Sequence, residues 1–195
     1  MLKMFFRSLV CLAFASAIGS AQALQEIRIS SQPALYGSLP FVVATEKDWW
    51  KEVGLKVVIT NFPAGAPQIA ASKNWDVGYT GSVPAVLGAV RHNLLTIAFS
   101  DDQSAANALM ARSTRTELNA KNLSPLKGST ILLSGNSTGD LVTRACLRRR
   151  GLNASDVTIR SMSQTEIMAA ITANTADAAA LWAPNTYTLV FSCVN

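Results

Sequence analysis

Residues 131–151 read ILLSGNSTGDLVTRACLRRRG: an apolar run, a turn-rich pentapeptide, then a helical pattern. A strand that passes through Gly and Ser into a helix is the unit from which α/β folds are assembled. The pentapeptide Gly135-Asn136-Ser137-Thr138-Gly139 also satisfies G-x-S-x-G, the spacing of a hydrolase nucleophile elbow. Ser137 is therefore either a nucleophile or part of a loop that holds a ligand without breaking it.

The same unit recurs along the chain. EIRISS (26–31) predicts a strand, and SLPFVVATEKDWWKEVG (38–54) a helix capped by Ser38, with Pro40 in its first turn and Gly54 at its end. Strands follow at 55–60 and 75–80, with helices at 66–73 and 82–92. The run LLTIAFS (94–100) is extended, and AANALMAR (105–112) is an apolar crossover. After the polar stretch 111–128 the alternation resumes. Strands fall at 129–134, 157–162 and 176–182, and a helix at 137–150. A capping box, Ser163-Gln164-Thr165-Glu166, opens one more helix. Alternation of this kind implies parallel sheets covered on both faces, here divided into two α/β lobes at 24–110 and 111–195.

Residues 1–23 read as an export signal: Lys3 and Arg7, an apolar run too short to span a bilayer, then Ala21-Gln22-Ala23. Removing them lowers the formal charge from +5 to +3. The remaining basic residues are scattered except for Arg148-Arg149-Arg150, which complement the carbonyl end of a helix. They do not interleave with aromatics as a nucleic-acid face requires. No Cys/His cluster has metal spacing, and no cofactor is expected. Cys146 and Cys193 are either a disulfide pair or free thiols.

In open α/β sheets ligands bind beyond the carboxyl ends of the strands. Four loops at such positions, 30–38, 61–67, 79–84 and 134–140, are rich in Gly, Ser, Thr or Pro and lead into helix N-termini. Unpaired N–H groups at such ends attract anions. The nucleophile reading of Ser137 fails on order: a hydrolase of that fold places its His after the Ser, whereas His92 precedes it. A phosphate-binding Walker loop fails as well, because Asp140 stands where Lys is needed. The pentapeptide is a helix-opening cradle.

QPALYGSLPFVVATEKDWWKEVGLKV, NFPAGAPQIAA, WDVGYTGSVPAVLGA, LLTIAFSDDQSAANALMAR, SGNSTGDLVTRA and LWAPNTYTL together resemble the solute-binding proteins of ABC importers. The subfamily is the nitrate/sulfonate/taurine type, of the type II periplasmic-binding fold. The resemblance runs from about Glu26 to about Leu189. It implies a periplasmic two-lobed clamp that closes on a small anionic solute and presents it to an ABC permease in the inner membrane. It is no enzyme on this reading. The matching contact positions are Gln32, Leu35 and Tyr36; Ala64, Gly65 and Ala66; and Thr80, Gly81 and Ser82. From the far lobe come Asn136, Ser137, Thr138 and Gly139, with Trp182 and Asn185. Family members continue past LWAPNTYTL, so a second lobe and return crossover that are incomplete in this chain are also expected. The rivals are an exported serine hydrolase using Ser137 and a pyrimidine-precursor synthesis protein of the same fold.

Overall fold

The computed structural model describes residues 23–118 and 121–192. Residues 1–22 of the expected export signal, and Cys193, lie outside them. Two sheets form. In the first, the order is β2 (Leu55–Asn61), β1 (Gln25–Ser31), β3 (Val77–Gly78), and both pairings are parallel. In the second, the order is β4 (Asn107–Ala111), β7 (Ala178–Trp182), β5 (Thr130–Leu133), β6 (Thr158–Ser161). There β5 runs parallel to β6 and β7, while β4 is antiparallel to β7. The chain thus enters the second sheet by residue 107, ahead of the division expected after residue 110.

Helices occupy the strand connections: α1 (Leu35–Glu46), α2 (Trp49–Glu52), α3 (Gly65–Ala70), α4 (Ser82–His92), α5 (Thr138–Arg149), α6 (Gln164–Thr172) and α7 (Asn185–Ser192). The second sheet shows why apolar strands without alternation form parallel sheets. Successive residues of β5 point to opposite faces. Ile131 packs with Leu126, Leu147, Leu152, Val157 and Ala178. Leu132 packs on the other side with Ile167, Ala176, Ala179, Leu181 and Leu189. Every residue of β7 is buried.

The first sheet is less covered. Val58 and, on α4, Val86 and Val90 are exposed. The run 94–100, expected to be extended, joins neither sheet, and Leu95, Ile97 and Phe99 are 80–95% exposed.

Three local expectations are corrected. Ser38 does not cap α1, because the helix opens earlier, at Leu35 with Ala34 as N-cap. The Ser38 hydroxyl donates instead to the Ala34 carbonyl four residues back. The expected single helix to residue 54 breaks at Asp48, whose φ of 56° is left-handed. The strand expected at 75–80 narrows to two residues. Glycine is needed there, since a Cβ on Gly78 would sit 2.0 Å from the Ser30 hydroxyl. The Ser163/Glu166 capping box forms as read, with both reciprocal hydrogen bonds present.

Candidate functional site

The carboxyl ends of the two sheets meet at one cavity of about 30 Å³. This is room for one or two waters. The first sheet contributes Gln32 and Ala34 after β1, Tyr79 and Gly81 after β3, and Tyr36, Gly65 and Pro84 from helix starts. The second contributes Ser137 and Thr138 at the start of α5, and Trp182 at the end of β7. Gln103 comes from the crossover between them, and Asn107 from the start of β4 where that crossover ends. Four helices begin here: Ala34 is the N-cap of α1, Gly65 opens α3, Gly81 is the N-cap of α4 and Ser137 that of α5. Among the described residues the lining holds no Lys, Arg or His.

The lobes touch at their helix starts. Ser82 is the first residue of α4 and not its cap; its hydroxyl lies 3.2 Å from that of Thr138. Gly81 permits this approach, since a Cβ there would stand 3.0 Å from the Thr138 hydroxyl. A Cβ on Gly65 would fall 2.3 Å from the Pro84 ring. Small residues at both positions let three helix ends crowd together.

Ser137 is a helix cap. Its hydroxyl accepts from the Asp140 amide at 3.2 Å. Asp140 in turn accepts from the Asn136 amide and from Arg144, which gives it a structural role at the dipole end. His92 closes the far end of α4, whose start touches Thr138. Ten residues of helix place it about 15 Å from that contact. It cannot serve Ser137 as a base.

Two buried glutamines hold the loops. Gln68, fully buried, donates to the Ser30 hydroxyl and the Tyr79 carbonyl, both at 2.8 Å, and accepts from Gln32 at 2.6 Å. Gln164 donates to the Ala180 carbonyl and accepts from the Trp182 amide at 3.2 Å and from Asn185 at 3.4 Å. Tyr36 and Tyr79 meet edge to face with centroids 6.1 Å apart. The Tyr79 hydroxyl accepts from Gln103 at 2.5 Å and donates to Asp101 at 3.3 Å. Burial first, then the Asp101 charge, pushes the Tyr36 phenol up to about 12, and burial also raises Tyr79. Both are neutral donors at neutral pH.

Of the positions expected from sequence, Gln32, Tyr36, Gly65, Gly81, Ser137, Thr138 and Trp182 line the cavity. Thr80 and Ser82 adjoin it, through hydrogen bonds to Gln32 and Thr138. Leu35 is 56% exposed, and Asn136 is exposed in a left-handed turn. Ala64, Ala66, Gly139 and Asn185 are not in the lining: Ala64 is the N-cap of α3, Ala66 is half-buried in its first turn, a Cβ on Gly139 would meet that of Ala180 at 3.4 Å, and Asn185 bonds to Gln164. Sequence reasoning missed Ala34, Tyr79, Pro84, Gln103 and Asn107, and the props Gln68 and Gln164. A signal existed for Gln68: a long polar side chain amid the small and apolar residues of GAPQIAA.

A parallel sheet and a mixed sheet joined by a crossover, with helix starts facing one cleft, define a two-lobed periplasmic-binding fold of type II. Residues 37–190 match the NMT1/THI5-like family, and the chain belongs to it. A provisional binding protein of Brucella abortus is 25% identical over 189 residues, covering 93% of this chain. The chain spans 55% of that relative's length. The alkanesulfonate-binding protein SsuA of Xanthomonas axonopodis, solved with MOPS bound, superposes with a TM-score of 0.73 at 23% identity, covering 86% of this chain and 57% of its own. The periplasmic aliphatic sulphonate binding protein SsuA of Escherichia coli gives 0.67 at 24% identity with the same coverage. These relatives are described as binding proteins and not as enzymes.

Proposed function

We propose that this chain belongs to the extracytoplasmic solute-binding component of an ABC importer, capturing a small anionic solute between its lobes for a membrane permease. One observation carries the reading: four helix N-termini open onto a single cavity whose lining, among the described residues, has no cationic side chain. An anion there is held by neutral donors and helix dipoles. Micromolar affinity needs about 8 kcal/mol. A partly buried helix end contributes at most about 2 kcal/mol. The balance comes from hydrogen bonds to the charged group, about 1.5–3 kcal/mol each. Such bonds keep that value only away from water, so closure of the lobes is part of binding.

The preferred solute is an organic sulfonate, taurine included, with nitrate as the other member of the class. The similarity to sulfonate-binding folds supports this. The small cavity implies that the lobes part to admit it, hinging at the crossover that carries Gln103 and leads into β4 at Asn107. Residues 1–23 direct export and are removed. Calorimetric titration of the mature chain with alkanesulfonates, nitrate and, as a control, a neutral amide tests the reading. Saturable binding of an anion with no binding of the amide is expected; binding of the amide alone contradicts it.

A further inference from the structure

We infer that the solute carries a hydrogen-bond donor, an O–H or N–H, which the side-chain oxygen of Gln32 receives. The inference rests on the solute-binding reading and narrows it. It follows from a chain of forced orientations that begins at a backbone carbonyl. Side-chain amides are oriented by their networks, and here the network has one solution. The Tyr79 carbonyl can only accept, so the Gln68 atom 2.8 Å from it is nitrogen. The second hydrogen of that nitrogen goes to the Ser30 hydroxyl. The Gln68 oxygen is therefore turned toward Gln32, whose facing atom, 2.6 Å away, must be its own nitrogen. The remaining hydrogen of the Gln32 amide reaches the Thr80 hydroxyl at 2.9 Å.

Both Gln32 hydrogens are thus spent inside the first lobe. Its oxygen accepts from no described residue, although Gln32 is only 7% exposed and lines the cavity. A flip of Gln32 would bring two amide oxygens together at 2.6 Å, and a joint flip would set the Gln68 oxygen against the Tyr79 carbonyl. Neither is available. Among the described residues the lining holds no cationic donor, and its buried unpartnered donor, the Trp182 Nε1–H, makes no hydrogen bond to this oxygen. A solute lacking a donor would strand a buried acceptor, which is worth roughly a tenfold loss of affinity. Gln32 is then a specificity residue, and Gln68 positions it.

The test uses the mature chain and a matched set of probes: propanesulfonate, 2-hydroxyethanesulfonate and 2-aminoethanesulfonate, which are equal in heavy-atom number. Calorimetric titration is expected to give dissociation constants about tenfold lower for the hydroxyl and amino probes than for propanesulfonate. Gln32→Met, which retains the side chain's length and removes the acceptor, is expected to abolish that preference. Equal affinity of wild-type protein for all three overturns the inference while leaving the solute-binding reading intact. Failure of all three to bind, with nitrate bound, overturns the inference and the sulfonate preference but keeps the anion-binding clamp.

Discussion

Replacing Gln68 by Met tests whether a buried polar hub fixes the first lobe. The methionine fits the space but makes none of the three side-chain hydrogen bonds to Ser30, Tyr79 and Gln32. The Ser30 hydroxyl can rotate toward another partner. The Tyr79 carbonyl and one Gln32 N–H cannot, and each becomes an unsatisfied buried group costing about 1–3 kcal/mol. The expected loss is about 2–5 kcal/mol, a large share of the ~5–15 kcal/mol typical of a folded domain. With a urea slope of about 2 kcal/mol per molar, the unfolding midpoint should fall by about 1–2.5 M, read by circular dichroism. A midpoint within roughly 0.3 M of wild type would refute the network's role, and would also remove the basis for orienting Gln32.

Other outcomes follow from the same geometry. Ser137→Ala should cost about 1 kcal/mol in stability through loss of the α5 cap, and leave any background ester hydrolysis unchanged; loss of a robust esterase activity would reinstate the nucleophile. Arg28 lies 2.6 Å from Asp76 and, by hydrogen bonding, holds its carboxyl down at about 2 against an ordinary 3.8. The folded state thus gains from this pair above about pH 4 and loses the gain as pH falls from 4 toward 2. Asp76→Asn should flatten the melting temperature in that window, and an unchanged profile would show the pair idle. Substituting Leu95, Ile97 and Phe99 together by Thr should reduce self-association in light scattering, because these side chains form an exposed apolar run; unchanged scattering would place the sticky surface elsewhere.

The order of elements was legible because each strand–turn–helix unit carries its own punctuation. Ser163 and Glu166 reveal a helix start by themselves, and β5 and β7 are apolar enough to read as buried strands. What escaped depends on neighbours distant in sequence. β3 shrinks to two residues where its Gly78 is pressed on Ser30, 48 positions earlier. β4 reads as a connector, yet its backbone pairs with β7 more than 60 residues on. At the site, Gly, Ser and Thr in the loops announced helix starts. Whether each faces the cavity or the core is set by which helix turn meets the opposite lobe. Thr138 lines the cavity, whereas Gly139, one residue on, packs on Ala180. Tyr79, Gln103 and Asn107 were missed because their roles come from the meeting of the two sheets, which no local pattern encodes.

The central claim is that solute is held between two lobes that open and close. Ser82 and Thr138 face each other across that division with hydroxyls 3.2 Å apart. A Ser82→Cys/Thr138→Cys variant should form a disulfide that pins the lobes together, reversible by reductant. The decisive measurement is calorimetric titration of this variant with 2-hydroxyethanesulfonate, oxidised and then reduced. Binding in the reduced protein that disappears on oxidation is the predicted result. Equal affinity in both states would show that the solute binds elsewhere than between the lobes.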